Sequence, residues 1–297
     1  MGLSQISSNT PHIVPAWPAP ANVRALSSTR VGGVSVGSAA DDGPEIDGRG
    51  VDDLELDDCT GLNLGENSGD AWPAVLSNRR FISAQFPTIP LWLKQVHEDT
   101  VAYGPEVLAA RESRIKLEKN DAALWRNGTR ADAIWTDVPN QVLVIQTADC
   151  LPILLCDRAG QWVAAIHGGW RSLAKNIIGK CVACAPAGVE IMAWLGPAIS
   201  QQYYEVGAEM RDVFVSQDQQ LSAAFVLATN KSARSGETEQ EKWRADLYAI
   251  ARHQLKMAGV TSVFGGEFCT FGEAARFYSY RRQARTGRLG HFIYFVE

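Results

Sequence analysis

Three side chains able to bind a soft or borderline metal ion follow apolar runs in this sequence. A polar turn after Val142–Ile145 carries Cys150, the run Trp162–Ile166 ends at His167, and His97 closes a third such stretch. One thiolate and two neutral imidazoles suit zinc or copper, and three protein ligands leave a fourth tetrahedral position open, as in catalytic zinc sites. The same residues are equally consistent with a buried structural cysteine and two hydrogen-bonded histidines, so both interpretations stay open here.

Charged residues near these three suggest further chemistry. Asp149 directly precedes Cys150, where it could orient a histidine or shuttle a proton. Arginine is also concentrated within eight residues near the C-terminus, at positions 281, 282, 285 and 288. Converging guanidinium groups bind phosphate or carboxylate, although a basic surface loop explains the cluster equally well. Arg30, beside a Gly-Gly turn, is either an anion contact or a solvated turn residue.

The elements that must position these residues follow from the apolar patterns. Short continuous apolar runs, including Leu151–Leu155, predict buried strands. From Trp170 to Ala185 the apolar residues recur at helical spacing, which predicts one amphipathic helix with Cys181 on its buried side. Two more helices are predicted at 70–86, capped by Asp70, and at 243–258. Strands and helices are mixed rather than strictly alternating, which indicates a single α+β domain.

Composition limits the classes of function. The chain has 297 residues, 46% of them hydrophobic, and a net charge of −5. This acidic balance gives no general attraction to nucleic acid or anionic membranes, and no apolar run is long enough to span a bilayer. The N-terminus lacks the pattern of a secretory signal, and six cysteines in this length do not form a disulfide framework. We therefore expect a cytoplasmic protein with a small-molecule substrate; the oligomeric state is left open.

A series of short motifs is spread along the chain. They are Thr29-Arg30-Val31-Gly32-Gly33, Asn63-Leu64-Gly65, Asn78-Arg79, Gln95-Val96-His97, Thr147-Ala148-Asp149-Cys150-Leu151-Pro152, His167-Gly168-Gly169-Trp170-Arg171, Leu195-Gly196-Pro197, Tyr204-Glu205-Val206-Gly207 and Tyr278-Ser279-Tyr280-Arg281-Arg282. From about residue 22 to the C-terminus this set resembles the YfiH-type laccase-domain family, the purine nucleoside phosphorylase, polyphenol oxidase and peptidoglycan editing factor group. Many members have His-Ala-Gly-Trp where this chain has His167-Gly168-Gly169-Trp170.

The resemblance implies a layered α/β/β/α fold with mixed β-sheets and sets the domain limits. Residues 1–20, rich in proline and small polar residues, are predicted to be a flexible tail, and 21–297 the domain. Two polar stretches near 38–60 and 106–128 are predicted to be inserts. The resemblance also implies metal ligands at His97, Cys150 and His167. These three and Asp149 are then the expected catalytic residues. The expected substrate- or phosphate-binding residues are Arg30, Asn63, Arg79, Arg281 and Arg282.

The leading functional hypothesis is a zinc-dependent enzyme acting on purine nucleosides. The resemblance implies phosphorolysis of adenosine, inosine, guanosine and methylthioadenosine, together with adenosine deamination. Copper-dependent polyphenol oxidation is the first alternative, although five histidines without a His-x-His pair do not suit a multicopper relay. A cysteine amide hydrolase of peptidoglycan precursor editing, with Cys150 as nucleophile, is the second. A partner-binding scaffold is the non-enzymatic alternative.

Overall fold

Two mixed β-sheets pack face to face at the centre of the molecule, and helices cover both outer faces. The computed structural model describes residues 12–36, 59–119, 121–228 and 241–297. Numbered in chain order, its strands are β1 His12–Ile13, β2 Val23–Ser28, β3 Leu91–Trp92, β4 Val101–Tyr103, β5 Ala133–Thr136, β6 Leu143–Thr147, β7 Leu151–Asp157, β8 Val163–Gly168, β9 Ile191–Leu195, β10 Glu205–Gly207, β11 Phe225–Leu227, β12 Lys242–Ala245, β13 Ser262–Gly265 and β14 Leu289–Phe295. Its α-helices are α1 Trp72–Ser83, α2 Gly104–Glu118, α3 Trp170–Ala174, α4 Ile177–Val182, α5 Ala208–Gln217 and α6 Leu247–Met257, with short 3₁₀ helices at Asp121–Trp125 and Gln219–Ala224.

Each of the two large sheets combines parallel and antiparallel pairs. The five-stranded sheet has the order β1-β2-β14-β6-β3, in which only β3 and β6 are parallel. The six-stranded sheet has the order β13-β9-β7-β8-β5-β4, with parallel pairs at both edges. A small third sheet, β10-β12-β11, lies beside them. The mixed sheets predicted for this chain are thus confirmed.

Alternation along β7 explains how the layers are held together. Successive side chains of a strand point to opposite faces of its sheet. Leu154 therefore joins the apolar core between the two sheets, whereas Ile153 and Leu155 join the core beneath α3, α4 and α6. A third core packs α1, through Ile82, against Phe292 on the outer face of the five-stranded sheet. Full burial of each such side chain contributes about 1.5–3 kcal/mol. The layers are helix, sheet, sheet and helix, as predicted.

The prediction of a single helix from Trp170 to Ala185 is wrong in one respect, because the chain forms two short helices here. Asn176 adopts a left-handed conformation with φ of 58°, and its side chain accepts a hydrogen bond from the Gly179 N–H. This cap begins α4 and interrupts the helix after α3. The apolar spacing continues across the break because Leu173 of α3 and Ile177 of α4 enter the same core.

Two predicted helix starts also differ from the structure. Asp70 does not cap α1, which begins at Trp72 with proline in its first turn and has no side-chain cap. The Asp70 carboxylate instead accepts hydrogen bonds from Ser35 and Asn63. Trp243 belongs to β12, and α6 begins after Asp246, whose side chain accepts a hydrogen bond from the Ala249 N–H. A side-chain cap thus fixes the start of α6, whereas α1 begins without one at a proline-containing first turn.

The predicted tail and inserts are only partly described. His12–Ile13, inside the predicted tail, pairs with Ser27–Ser28 of β2, and residues 1–11 lie outside the described residues. The stretch 38–60 is described only at 59–60. The stretch 106–128 contains most of α2 and the 3₁₀ turn Asp121–Trp125. In the described part of the chain, no helix has both the length and the apolar character required to cross a bilayer.

His291 lies on β14, between β2 and β6, and its burial should make the stability of the fold depend on pH. The His291 ring nitrogens are each 2.7 Å from a hydroxyl, Ser27 Oγ and Thr147 Oγ1. Burial, reinforced by the charge of His167, lowers the pKa of His291 to about 3. An unfolded histidine titrates near about 6.5, so between these values the unfolded chain binds the extra proton. The unfolding free energy must therefore fall as the pH drops from 6.5 towards 3, by up to about 1.4 kcal/mol per pH unit from this residue.

We expect His291→Gln to show a shallower dependence of stability on pH than the wild type. Urea unfolding of both proteins between pH 7 and pH 5 measures this slope. Above pH 7 the variant should be the less stable protein, because the two hydroxyls lose their shared partner. Parallel slopes for the two proteins would show that His291 is not the group responsible.

Candidate metal centre and cavity

His97, Cys150 and His167 converge on one point. The Cys150 Sγ lies 3.7 Å from His97 Nε2, and the three ligand atoms all lie within 4.8 Å of one another. Zinc–ligand distances of about 2.0–2.3 Å in a tetrahedral site place ligand atoms about 3.3–3.8 Å apart. The set therefore fits a single ion after small side-chain movements. Among the described residues it is the one group of three or more such side chains with this spacing.

Strand pairing brings the three residues together. Cys150 immediately precedes β7, and the antiparallel register pairs Leu151 with Gly168 and Pro152 with His167. This register places the Cys150 side chain beside the end of β8. His97 lies in the link from β3 of the five-stranded sheet to β4 of the six-stranded sheet. The metal centre therefore lies where the two sheets meet.

The buried carboxylate of Asp132 fixes both histidines. It accepts backbone hydrogen bonds from Val96 at 3.1 Å and from His97 and Glu98 at 2.9 Å each. It also lies 2.8 Å from His167 Nδ1, which leaves Nε2 of that ring for a metal ion. Carboxylates in this position set the tautomer and orientation of a metal-bound histidine. Asp132 was not expected as a site residue; in the sequence it falls inside the predicted strand 131–136, a segment that also resembles one of the family.

Asp149 makes contacts other than the histidine contact considered for it. Its carboxylate accepts hydrogen bonds from the Thr270 hydroxyl at 2.6 Å, the Ser279 hydroxyl at 3.0 Å and the Arg281 N–H at 2.6 Å. These contacts hold the C-terminal segment against the start of β7. The carboxylate in contact with the His167 ring is that of Asp132. Asp149 remains a residue of the cavity wall, adjacent to Cys150.

Two residues of the site adopt backbone conformations that side chains rarely take. His97 has φ of 59° and Asp149 has φ of 87°. Residues other than glycine in this region cost about 1–3 kcal/mol and persist where the surroundings hold them. The three N–H groups bound by Asp132 hold His97 in this way, and the Thr270 and Ser279 hydroxyls hold Asp149.

The protonation of the thiol suits metal binding. Burial opposes ionisation of Cys150, but the neighbouring His167 and His97 outweigh it and lower the pKa of this thiol to about 6. For His167, burial is outweighed by Cys150 and Asp132, which raise the pKa of the imidazole. The thiolate is the form of cysteine that binds metals, and it exists in this site at neutral pH.

A cavity of about 530 Å³ opens above the three ligands. Its volume lies in the range of small-molecule sites. Polar, cationic and aromatic side chains all line its wall. They are Glu66, Gln95, Asn127 and Gln146; Arg171, Arg281 and Arg288; and Trp170, Tyr204 and Tyr280. Arg281 lies over the ring of Tyr204. Burial raises the pKa of Tyr204 well above its ordinary value, which itself lies above neutral pH.

Of the expected substrate- or phosphate-binding residues, only Arg281 lines this cavity. Arg282 donates to the carbonyl oxygens of Thr270, Phe271 and Phe277, and Arg30 donates to that of Thr60. Arg288, noted in the arginine cluster but not expected as a site residue, does line the cavity. Spacing in the sequence could not separate the arginines that line the cavity from those that do not.

Asn63 and Arg79 support the cavity wall from behind. Asn63 Oδ1 accepts hydrogen bonds from the N–H groups of Gly65 and Arg288, at 2.9 Å each. The fully buried Arg79 donates to Asn127 Oδ1 at 2.9 Å and Gln146 Oε1 at 3.2 Å. Burial lowers the pKa of Arg79 to about 9. Both residues therefore position groups that line the cavity.

Gly169 provides a test of how tightly the ligands are packed. A Cβ atom at this position would lie 2.8 Å from His97 Cδ2 and 3.5 Å from Cys150 Sγ. We expect Gly169→Ala to push the His97 ring aside and to weaken zinc binding by about 10–100-fold, the size of effect seen when ligand orientation is disturbed. Competition with a chromophoric chelator measures this affinity. Gly188→Ala, outside this cavity, is the control for zinc affinity: no atom lies within 4 Å of its added Cβ, and the strain from its φ of +79° should lower stability without disturbing the ligands. Equal zinc affinities for Gly169→Ala and the wild type would contradict this packing.

Comparison with known proteins gives a consistent result. The family model described as multi-copper polyphenol oxidoreductase laccase matches residues 24–296. The chain is 40% identical over 287 residues to the purine nucleoside phosphorylase YfiH of Shigella flexneri, covering 96% of this chain and 98% of that protein. It is 40% identical over 286 residues to the purine nucleoside phosphorylase PA4543 of Pseudomonas aeruginosa, with the same two coverages. The crystal structure of Neisseria meningitidis NMB0706 superposes with a TM-score of 0.75 at 36% identity, covering 97% of this chain and 100% of that one.

Proposed function

The chain belongs to the laccase-domain family, and from that premise we propose that it is a zinc-dependent purine nucleoside enzyme. Its proposed reactions are phosphorolysis of adenosine, inosine, guanosine and methylthioadenosine, and deamination of adenosine. The observation that carries the proposal is the convergence of His97, Cys150 and His167 below a cavity large enough for a nucleoside. The names of the relatives supply the substrate class.

The donor set supports zinc as the resident ion. Two imidazoles and one thiolate would hold it, with Asp132 fixing the His167 tautomer. When bound at three protein ligands, zinc supplies Lewis acidity and lowers the pKa of water to about 7. Copper also binds nitrogen and sulfur ligands, usually more tightly than zinc. In the described residues, however, one ligand group of this kind is present, whereas a multicopper relay needs several. Polyphenol oxidation is therefore the weaker candidate.

Phosphorolysis requires a phosphate ion to attack the ribose C1′ while the bond to the base nitrogen breaks. In the proposed arrangement Arg281 and Arg288, which line the cavity, neutralise the phosphate. Gln95 and Gln146 also line it, and the Gln95 amide exchanges two 2.7 Å hydrogen bonds with the Gln146 backbone. The aromatic rings of Tyr204 and Tyr280 offer surfaces for the base. This wall of mixed chemistry suits a ligand with an anionic, a polar and an aromatic part.

The experiment that tests this proposal measures bound metal and adenosine turnover with and without phosphate. We expect about one zinc per chain and release of adenine only when phosphate is present. Arg288→Met should raise the KM for phosphate about tenfold or more, the loss of one charge-assisted contact. Arg158→Met, which removes an exposed arginine paired with Glu190, is the control. A metal-free protein that leaves adenosine unchanged would refute the proposal.

A cysteine amide hydrolase is a second candidate, supported by one observation. Cys150, His167 and Asp132 follow one another in space as a thiol, an imidazole and a carboxylate, and the pKa of the thiol is lowered to about 6. A cysteine nucleophile activated by an oriented histidine has this composition. The two candidates differ in metal content, because a nucleophilic thiolate cannot stay permanently coordinated. Alkylation of Cys150 in the zinc-loaded protein separates them: protection supports coordination, and rapid modification supports the hydrolase.

A further inference from the structure

A second, smaller cavity of about 200 Å³ lies between α2 and β3, separate from the metal centre. Leu91, Trp92 and Val107 form its apolar part, and Arg111 and Arg114 its polar part. The segment after the 3₁₀ turn contributes to both cavities. Arg126 and Gly128 line the smaller one, whereas Asn127 between them lines the larger.

Three buried donors on side chains that line this cavity have no acceptor in the described part of the chain. They are the indole Nε1 of Trp92 and the Nε atoms of Arg111 and Arg114. Trp92 itself is only 2% exposed. A buried N–H without an acceptor is unfavourable, and most such groups in folded proteins have a partner. Three of them around one cavity indicate an occupant that accepts hydrogen bonds.

The charge of the cavity specifies the occupant further. Arg111 donates to the Ile89 and Pro90 carbonyl oxygens at 3.1 Å each, and Arg114 donates to the Asn127 carbonyl oxygen at 3.0 Å. These neutral acceptors fix the guanidinium groups without cancelling their charge. Within the described residues neither arginine forms an ion pair with a carboxylate, whereas Arg126 is paired with Glu66 at 2.8 Å. Burial lowers the pKa of Arg111, partly offset by Glu112, and Arg114 adds to the lowering.

We propose that this cavity is a binding site for a small inorganic oxyanion, such as sulfate or phosphate, held by Arg111, Arg114 and the Trp92 indole. Guanidinium groups match the geometry of such ions, and an anion supplies both the missing acceptors and the missing negative charge. Water would supply acceptors but no charge. The volume and the apolar floor suit a single compact ion rather than a nucleotide or a polyphosphate.

Sulfate is the probe that tests the site, because it does not react with nucleosides. Calorimetric titration into the Arg288→Met protein, at constant ionic strength with chloride, removes a cationic contact of the larger cavity from the measurement. We expect sulfate to bind this protein, and Trp92→Phe in the same background to weaken binding about three- to tenfold through loss of one donor. Arg114→Met should weaken it by about tenfold or more. Lys116→Met removes an exposed positive charge from the same helix, outside this cavity, and should leave the affinity unchanged.

Trp92→Phe keeps an aromatic side chain and both guanidinium groups, so it remains informative if Arg114→Met does not fold. A crystal of the wild-type protein soaked in selenate provides the second measurement, with anomalous density expected between Arg111 and Arg114. The proposal is overturned if sulfate does not bind, if both variants bind it as tightly as their background, or if the cavity contains only water.

Discussion

Cys150→Ala is expected to remove the bound zinc and to reduce adenosine phosphorolysis by more than about 100-fold. The thiolate is one of three ligands, and loss of a ligand should exceed the 10- to 100-fold effect of losing an outer partner. The two histidines that remain, within 4.8 Å of the vacated position, cannot fill the coordination shell alone. Metal analysis and turnover measured on the same purified samples check both effects together.

Cys184→Ala is the matched control, because it removes a partly exposed thiol that is not one of the three ligands. It should retain both zinc and activity. A Cys150→Ala protein that still turns over adenosine at the wild-type rate would contradict the assignment of the catalytic centre. If Cys150→Ala loses activity and the wild type contains no zinc, the result would instead favour the cysteine hydrolase.

The second large effect is expected for Asp132→Asn. The amide cannot accept all of the hydrogen bonds that the carboxylate takes from Val96, His97, Glu98 and His167, and its own N–H groups would face donors. We expect zinc affinity to fall about 10–100-fold. The unfolding free energy should fall by about 1–3 kcal/mol, because at least one buried donor loses its acceptor. Chelator competition and urea unfolding measure the two quantities.

Asp137→Asn serves as the comparison for this variant, because Asp137 is an exposed carboxylate just after β5, the strand that Asp132 precedes. In the described residues its side chain accepts a hydrogen bond from the Tyr103 hydroxyl at 2.8 Å. We expect changes in zinc affinity and stability too small to measure, as for most exposed contacts. If Asp132→Asn behaves like Asp137→Asn, then another group must orient His167 and hold the loop that carries His97.

Several strands of the two central sheets could be predicted because they are short, continuous and apolar, whereas β1 lies in the segment predicted to be a tail. Leu151–Leu155 and Trp162–Ile166 both lie within observed strands or at their edges. Periodicity could not reveal the break between α3 and α4, since both helices face one core and the apolar spacing runs through Asn176. It also could not distinguish Trp243 on β12 from a helical residue, because a cap at Asp246 decides the boundary.

The metal ligands could be proposed from the sequence because cysteine and histidine at strand ends are chemically distinctive. The residues that support these ligands could not be proposed from the sequence. Asp132 acts through backbone N–H groups 34 to 36 residues away, a relation that no local pattern contains. Arg281 and Arg282 are neighbours that both donate to carbonyl oxygens, but Arg281 lines the cavity and Arg282 does not. Local backbone direction, which sequence spacing does not record, separates them.

The support that Asp132 gives to both histidines has a consequence for how the protein obtains its metal. Each histidine is held by hydrogen bonds within the protein, and Cys150 by the pairing of β7 with β8. The pocket for the ion is thus organised by the fold itself, unlike a zinc finger, in which binding drives folding. A metal ion would then bind after folding is complete, and it could be exchanged without unfolding of the chain. Metal identity in cells would follow supply and competition, with copper favoured over zinc wherever both are free.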